Sequence, residues 1–196
     1  MDAGKKGVRT LFWGVELRED AELGRPKRAH EAGGMDHSLN RGHARSTRFH
    51  KPEDDDAFEQ ILAEGRERDA CRMLAYPFTP NHWHFVPQPM EDGGMSNFLR
   101  WVSLPHTIRL HAHYGTGGQG DVYQGRLERF PVQDDEPFLL VCRYVERNAL
   151  RAALVRRAED WTWGSLNRWL EEPERQPRRL SAWPIARSPR WAEPGQ

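Results

Sequence analysis

The spacing of apolar residues predicts a helix in the first half of the chain. Four apolar side chains recur at helical intervals between residues 52 and 68, namely Ala57, Phe58, Ile61 and Leu62. This spacing places them along one side of a helix. Pro52 and the acidic run Glu53 to Asp56 suit the first turn, where proline loses no hydrogen bond and carboxylates face the positive end of the helix dipole. We therefore predict a helix over Pro52 to Arg68.

Short apolar runs bounded by turn residues predict four β-strands. In order they are Asp36 to Gly42, Cys71 to Tyr76, His82 to Val86 and Val122 to Val132. The first is weak, because apolar and polar residues hardly alternate in it. Since proline cannot donate to a sheet ladder, Pro87 and Pro89 are expected to end the third strand early.

Two further helices follow the histidine-containing strand. Ser96 is a suitable N-cap for a helix with apolar residues at helical spacing, and Pro105 is expected to kink or end that helix. The run Asp134 to Pro137 combines a cap, acidic residues and a proline, which together predict a helix start. That helix should continue to about Asn148, and Leu150 to Val155 is predicted to form a further short helix.

The predicted order is strand, helix, strand, strand, helix, strand, helix. This is the split βαβ order of a ferredoxin-like α+β fold. It gives an antiparallel sheet with helices packed on one face and the histidine strand inside the sheet. The chain of 196 residues suits one domain. We assign residues 34–160 to this domain, residues 1–33 to a poorly structured N-terminal extension, and residues 161–196 to an irregular tail rich in Arg, Pro and Trp that packs on the domain.

The composition indicates which binding partners and which cellular compartment suit this chain. Lys plus Arg and Asp plus Glu number 29 each, so no global field attracts a polyanion and any nucleic-acid contact must come from local patches. Two cysteines, Cys71 and Cys142, are too few for a disulfide framework and fit a reducing cytoplasm. Mean hydropathy is −0.86, and the sequence has neither an apolar run long enough to span a membrane nor a recognisable signal peptide.

The segment Pro80 to Val86 carries the first candidate chemistry. His82 and His84 are two residues apart, so on a strand both face the same side and could bind one metal ion, while Trp83 faces the other side. The alternative is two ordinary surface or hydrogen-bonded histidines. A second pair, His111 and His113, falls near the end of a helix, where residues two apart point about 200° from each other and cannot share a metal.

The helix that begins near Asp134 carries the second candidate pair. Tyr144 and Asn148 are four residues apart and share one helix face. A tyrosine can act as a covalent nucleophile, and an amide oxygen one turn later could complete a metal site that already holds two histidines. The alternative is a half-buried core tyrosine followed by a residue near the helix C-terminus.

Several long motifs, in order, resemble one family. PNHWHFV, GTGGQGDVYQGRLERFPVQDDE, CRYVERNALRAALV and WTWGSL closely resemble the REP-associated tyrosine transposases, which are single-tyrosine members of the HUH endonuclease superfamily. The resemblance runs from about Leu39 to Leu166. It implies cleavage and rejoining of single-stranded DNA at hairpin-forming repetitive extragenic palindromes, with Mg²⁺ or Mn²⁺, in the cytoplasm of a bacterium and in association with its nucleoid.

The resemblance also implies roles for individual residues. Tyr144 matches the nucleophile that forms a 5′-phosphotyrosine, and His82, His84 and Asn148 match the metal ligands. We assign DNA contacts to five residues: His106, Arg109, Gln124, Arg126 and Arg129. The loop Tyr114 to Gln124 and the Arg-rich stretch from Arg175 to Arg190 are expected to read the hairpin. The sequence does not decide between monomer and homodimer; we take a monomer as the working assignment.

Several positions depart from the family pattern. Pro77, Pro87 and Pro105 stand where other residues are usual, and the aromatic–His start of the first strand is weak here. A proline in a helix interior costs ~3 kcal/mol, which is large beside a domain stability of ~5–15 kcal/mol. One alternative is therefore a catalytically impaired copy that acts at most as a hairpin-binding protein. Another is a small metal-dependent hydrolase that uses water in place of Tyr144.

Overall fold

The computed structural model describes residues 9–10, 16–17, 31–133, 135–171 and 180–192, with only the backbone described for the first two ranges. The strands are β1 (Arg9–Thr10), β2 (Glu16–Leu17), β3 (Met35–Arg41), β4 (Cys71–Ala75), β5 (Phe78–Thr79), β6 (His82–Pro89) and β7 (Glu128–Val132). The α-helices are α1 (Pro52–Arg68), α2 (Gly94–Tyr114), α3 (Glu136–Glu146), α4 (Asn148–Arg151) and α5 (Ser165–Leu170).

Five strands form one antiparallel sheet. Its order is β4-β6-β3-β7, and the short β5 also pairs with β6. β3 lies in the centre, with Leu39 opposite His84 on β6 and His37 opposite Phe130 on β7. The α+β class, the ferredoxin-like order and the interior position of the histidine strand are confirmed. β1 and β2 pair only with each other, and most of the predicted N-terminal extension lies outside the described residues.

The two faces of the sheet are covered by different helices. On one face, Trp83 and Phe85 of β6 pack into a core with residues of α1 and α2, including Phe58 and Phe98. On the other face, Val86 of β6 packs with residues of α3. The prediction placed the helices on one face, and this holds for α1 and α2. Because β6 alternates between faces, its histidines point to the side covered by α3.

Prolines interrupt the regular structure less than expected. β6 runs through Pro87 to Pro89, so the prediction that these prolines end it early was wrong. The Pro89 carbonyl accepts from the Gly33 amide (2.7 Å) on the β3 side, and the β3–β6 register ends at Ser38–Phe85. The missing N–H groups therefore face a part of the sheet where that ladder has already ended. Likewise, α2 begins at Gly94 and continues through Pro105 as 21 residues, so Pro105 does not end the helix.

The segment after residue 160 is more ordered than predicted. It forms the short helix α5, and Trp191 is buried in the core below α3. Residues 172–179 and 193–196 lie outside the described part of the chain, so Arg175 and its neighbours in the predicted hairpin-reading stretch are not placed. The predicted fourth strand is also shorter, because only Glu128–Val132 pairs with β3 as a strand. The predicted short helix at Leu150 to Val155 is instead α4, which ends at Arg151.

Candidate active site

His82 and His84 meet Asn148 at the end of the sheet. The two histidines leave the same face of β6, and Asn148 is the first residue of α4, directly after the single-residue break at Arg147. The Asn148 Oδ1 atom lies 3.0 Å from His82 Nε2, and its Nδ2 atom donates to His84 Nε2 at 3.2 Å. One amide thus contacts the outer nitrogen of both imidazoles.

The surroundings of His82 fix its proton on Nδ1. Two oxygens face Nδ1: Asn81 Oδ1 at 2.6 Å and Thr79 Oγ1 at 2.8 Å. The Thr79 hydroxyl donates to the His82 carbonyl (3.1 Å), so it accepts at Nδ1. Burial lowers the pKa of His82 to about 4, so the ring is neutral at pH 7 and carries one proton. Its Nε2 lone pair therefore faces the Asn148 oxygen, another electron-pair donor.

His82 Nε2 and Asn148 Oδ1 both present a lone pair and lie 3.0 Å apart. A bound cation would be contacted by both atoms. The donor set fits a divalent ion held by His82 Nε2, His84 Nε2 and Asn148 Oδ1, with free positions for substrate oxygens. Among the described residues, no three side chains of the histidine, cysteine, aspartate and glutamate types are grouped closely enough to bind a metal by themselves. The third protein ligand would therefore be the amide.

Tyr144 lies against the same histidines. It comes from α3, one turn before Asn148, and its ring meets the His84 ring edge-on with centroids 5.7 Å apart and planes at 90°. The guanidinium carbon of Arg151 lies 4.8 Å from the centroid of the Tyr144 ring. Tyr144 and Asn148 were predicted to share one face of a single helix; the structure places them on successive helices, α3 and α4, and both contact His84.

His37 belongs to this cluster and was not predicted as a site residue. It lies on β3, is 2 % exposed, and its Nε2 atom is 2.9 Å from His84 Nδ1. Its ring stacks on His84 (5.1 Å) and meets the Tyr144 ring edge-on (5.8 Å). The signal available in the sequence was the histidine in the weak first strand, at the position of the family's aromatic–His pair.

A comparison with models of protein families identifies the family of this chain. A family model described as "Transposase IS200 like" matches residues 35–148, more than half of the chain. The chain belongs to the IS200-like transposase family. No curated protein matches it.

One solved structure of another transposase shares the fold, and a second is matched at a lower score. A structure of a REP-associated tyrosine transposase bound to a REP hairpin is similar, with a TM-score of 0.60 at 14% identity over 75% of this chain and 84% of that one. A putative transposase from Deinococcus radiodurans R1 is also similar, with a TM-score of 0.44 at 12% identity over 68% of this chain and 95% of that one.

The residues assigned to DNA contact in this transposase have different surroundings. Arg109, Gln124 and Arg126 are exposed. Arg129 is largely buried, and its Nε donates to Asp36 Oδ2 at 2.9 Å in an ion pair between β7 and β3. His106 is buried, stacks on Phe49, and lies 2.5 Å from the Tyr123 hydroxyl through Nδ1.

These positions keep three of the five assignments open and argue against two, His106 and Arg129. His106 cannot reach a DNA strand while the core around it is packed. Arg129 would have to leave a buried carboxylate to bind a phosphate, at a high cost in free energy. The second histidine pair lies in α2, where His111 contacts Thr116 (2.8 Å) and His113 contacts Lys51 (2.9 Å). None of the helices in the described part of the chain has the length and apolar character needed to cross a membrane.

Proposed function

We propose that this transposase is a metal-dependent single-stranded DNA endonuclease and strand transferase that acts on hairpin-forming repeat DNA through a tyrosine intermediate. The observation that carries the proposal is the convergence of His82, His84, Asn148 and Tyr144 on one site. Family membership supports the reaction class. The similar transposase bound to a REP hairpin supports a hairpin as the DNA partner.

The reaction would begin with the Tyr144 hydroxyl. Its oxygen attacks the phosphorus of a phosphodiester and loses its proton, the bond from phosphorus to the 3′-oxygen breaks, and the departing oxygen takes up a proton. The products are a 5′-phosphotyrosine on Tyr144 and a free 3′-hydroxyl. Because the phosphodiester energy is kept, attack by a 3′-hydroxyl rejoins the strand and restores the phenol.

His82, His84 and Asn148 would hold a divalent cation, Mg²⁺ or Mn²⁺, which would polarise a phosphoryl oxygen and stabilise the charge that develops there. Other side chains around the phenol would position it for attack. His84 and His37 limit where the Tyr144 ring can lie on one side, and Arg151 lies over one of its faces. Arg151 is exposed and cationic, so it would also contact the phosphate next to the one being cleaved.

The test is covalent capture on labelled DNA. A hairpin oligonucleotide with single-stranded flanks is incubated with the full chain and Mn²⁺, and the products are separated on a denaturing gel. A 3′ label should migrate with the protein, because a 5′-phosphotyrosine retains the downstream fragment, while a 5′ label should appear on a free fragment. Tyr144→Phe should abolish both products. Tyr76→Phe is the matched control, since it removes a phenol that donates to Glu59 (2.8 Å) in the core.

The alternatives are separate outcomes of this test. Cleavage that survives Tyr144→Phe without an adduct would indicate a hydrolase that uses water. Hairpin binding that is unaffected by chelator and by His82→Ala, with no adduct, would indicate an impaired copy. Of the three prolines that suggested impairment, Pro87 lies within β6 and Pro105 within α2, both of which continue past them. Pro77 forms an isolated bridge with Gly164 between β4 and β5.

A further inference from the structure

The nitrogen of His84 that faces away from Asn148 contacts a second buried histidine. β3 and β6 are neighbours, with Leu39 opposite His84, so His37 lies diagonally across from His84 on the same face. His37 and His84 are 2 % and 3 % exposed. Their rings are nearly parallel, at 15°, and the two facing nitrogens are 2.9 Å apart. This is a buried hydrogen bond between two imidazoles, and it uses the nitrogen of His84 that would not bind the metal ion.

The direction of this hydrogen bond follows from the contacts around it. The Asn148 amide nitrogen can only donate, so His84 Nε2 accepts its proton. A neutral imidazole carries a single proton, so with Nε2 accepting, the proton of His84 lies on Nδ1. That proton is donated to His37 Nε2. The Nε2 lone pair of His84 is thereby already directed toward the site.

We propose that His37 is a positioning residue that holds His84 in the tautomer and ring plane needed to bind the metal ion. The proposal rests on the metal site of the proposed function. A metal-binding imidazole whose second nitrogen donates to a fixed acceptor is oriented and made more basic, and loss of that acceptor lowers metal affinity 10- to 100-fold. His82 has the equivalent partners, Thr79 and Asn81, beside it in sequence. His84 obtains its partner from the neighbouring strand.

Glutamine and leucine at position 37 separate the hydrogen bond from packing. The Gln side chain can place an acceptor oxygen close to where His37 Nε2 lies, whereas Leu fills similar space with no acceptor. Mn²⁺ is titrated into the full chain without DNA, and free Mn²⁺ is followed by electron paramagnetic resonance. We expect His37→Leu to weaken Mn²⁺ binding 10- to 100-fold and His37→Gln to stay within about threefold of the wild type. The control, His111→Gln, should bind Mn²⁺ as the wild type does.

The outcomes distinguish the inference from the function on which it rests. Failure of the wild-type chain to bind Mn²⁺ would remove the proposed metal site itself. Wild-type binding with an unchanged dissociation constant in His37→Leu would overturn only the role of His37. If His37→Leu does not fold, ¹⁵N resonances of His84 in the wild-type protein still decide: a proton on Nδ1 supports the inference, and a proton on Nε2 refutes it.

Discussion

Replacement of Arg187 by Met should strongly destabilise the fold, because it leaves a buried carboxylate without its cation. Glu146 lies on α3 and is 3 % exposed. Its Oε1 atom accepts from Arg187 Nη2 (3.2 Å) and Ser165 Oγ (2.9 Å), and Oε2 accepts from Trp191 Nε1 (2.6 Å). The Arg187 guanidinium carbon lies 3.7 Å from the Trp183 ring centroid, so the cation is itself enclosed.

The size of the effect follows from this geometry. At 3.2 Å, two unit charges in a medium of effective dielectric constant about 20 attract each other by about 5 kcal/mol. Removing one member of a buried pair typically costs ~3–5 kcal/mol, since the other charge stays buried and uncompensated. Loss of the contact with Trp183 adds about 0.5–2 kcal/mol. These losses are comparable with the whole stability of a domain, about 5–15 kcal/mol.

Urea unfolding followed by tryptophan fluorescence measures this effect. Burial raises the pKa of Glu146 while Arg187 lowers it, so loss of Arg187 shifts that pKa upward. The folded variant then holds a proton that the unfolded chain releases, and the deficit should be larger at pH 8 than at pH 5. Glu146→Gln combined with Arg187→Met should recover part of the loss, because the neutral amide leaves no buried charge: its oxygen can accept from Trp191 Nε1 and its NH2 group can donate to Ser165 Oγ.

The matched control is Arg157→Met, which removes an exposed partner of Glu159 and should change stability little. A deficit in Arg187→Met below about 1 kcal/mol, or one that does not vary with pH, would show that the Glu146 charge does not need Arg187.

Three further predictions concern single residues. Burial, with Asp54, Asp56 and Glu59 nearby, raises the pKa of Asp55 to about 7, so the folded state keeps a proton that the unfolded chain loses. The free energy of unfolding should therefore fall as pH rises from about 4 to 7. Asp55→Asn should flatten that fall in urea titrations. Burial lowers the pKa of His106 to about 4, so the folded state binds fewer protons than the unfolded chain between pH 4 and 6.5. In His106→Phe, the free energy of unfolding should fall less steeply on acidification, by up to the slope that one bound proton produces. An unchanged slope would contradict this. If Arg151 contacts a phosphate, Arg151→Gln should weaken hairpin binding and lower the salt dependence by about one charge, whereas Arg157→Gln should leave both unchanged.

The site residues that the sequence predicted are those whose spacing is set by local geometry. His82 and His84 share a face because strands alternate, and Tyr144 and Asn148 are brought together because they lie four residues apart across the one-residue break between α3 and α4. His37 has no such partner in sequence. Five of the seven residues of β3, His37 among them, are buried, because β3 is central and covered on both faces. No alternation of apolar and polar residues therefore marks this segment as a strand. Its contact with His84 spans 47 residues and needs the sheet order.

The prolines show where a local rule depends on tertiary context. The rule that proline ends a strand or helix assumes that its missing N–H was needed. Pro87 and Pro89 lie where the β3–β6 ladder has ended, and Pro105 lies on a partly exposed side of α2. Neither circumstance can be predicted from the residues beside the prolines. Arg129 is a similar case. Its carboxylate partner, Asp36, is distant in sequence, so the ion pair between them cannot be predicted from the residues beside Arg129.

The C-terminal segment contacts the side of α3 that faces away from Tyr144, so in the proposed mechanism it would help to hold the nucleophile in place. Glu146 is two residues after Tyr144 on α3, so the two side chains point about 200° apart. The helix that supplies the phenol is thus held on one side by Arg187 and Trp191, and Asn148 is held on the other by His82 and His84. Arg187 was expected to read the hairpin, yet its guanidinium is enclosed in this ion pair. Truncation before residue 180 should therefore impair adduct formation even on a DNA hairpin that the shortened chain still binds.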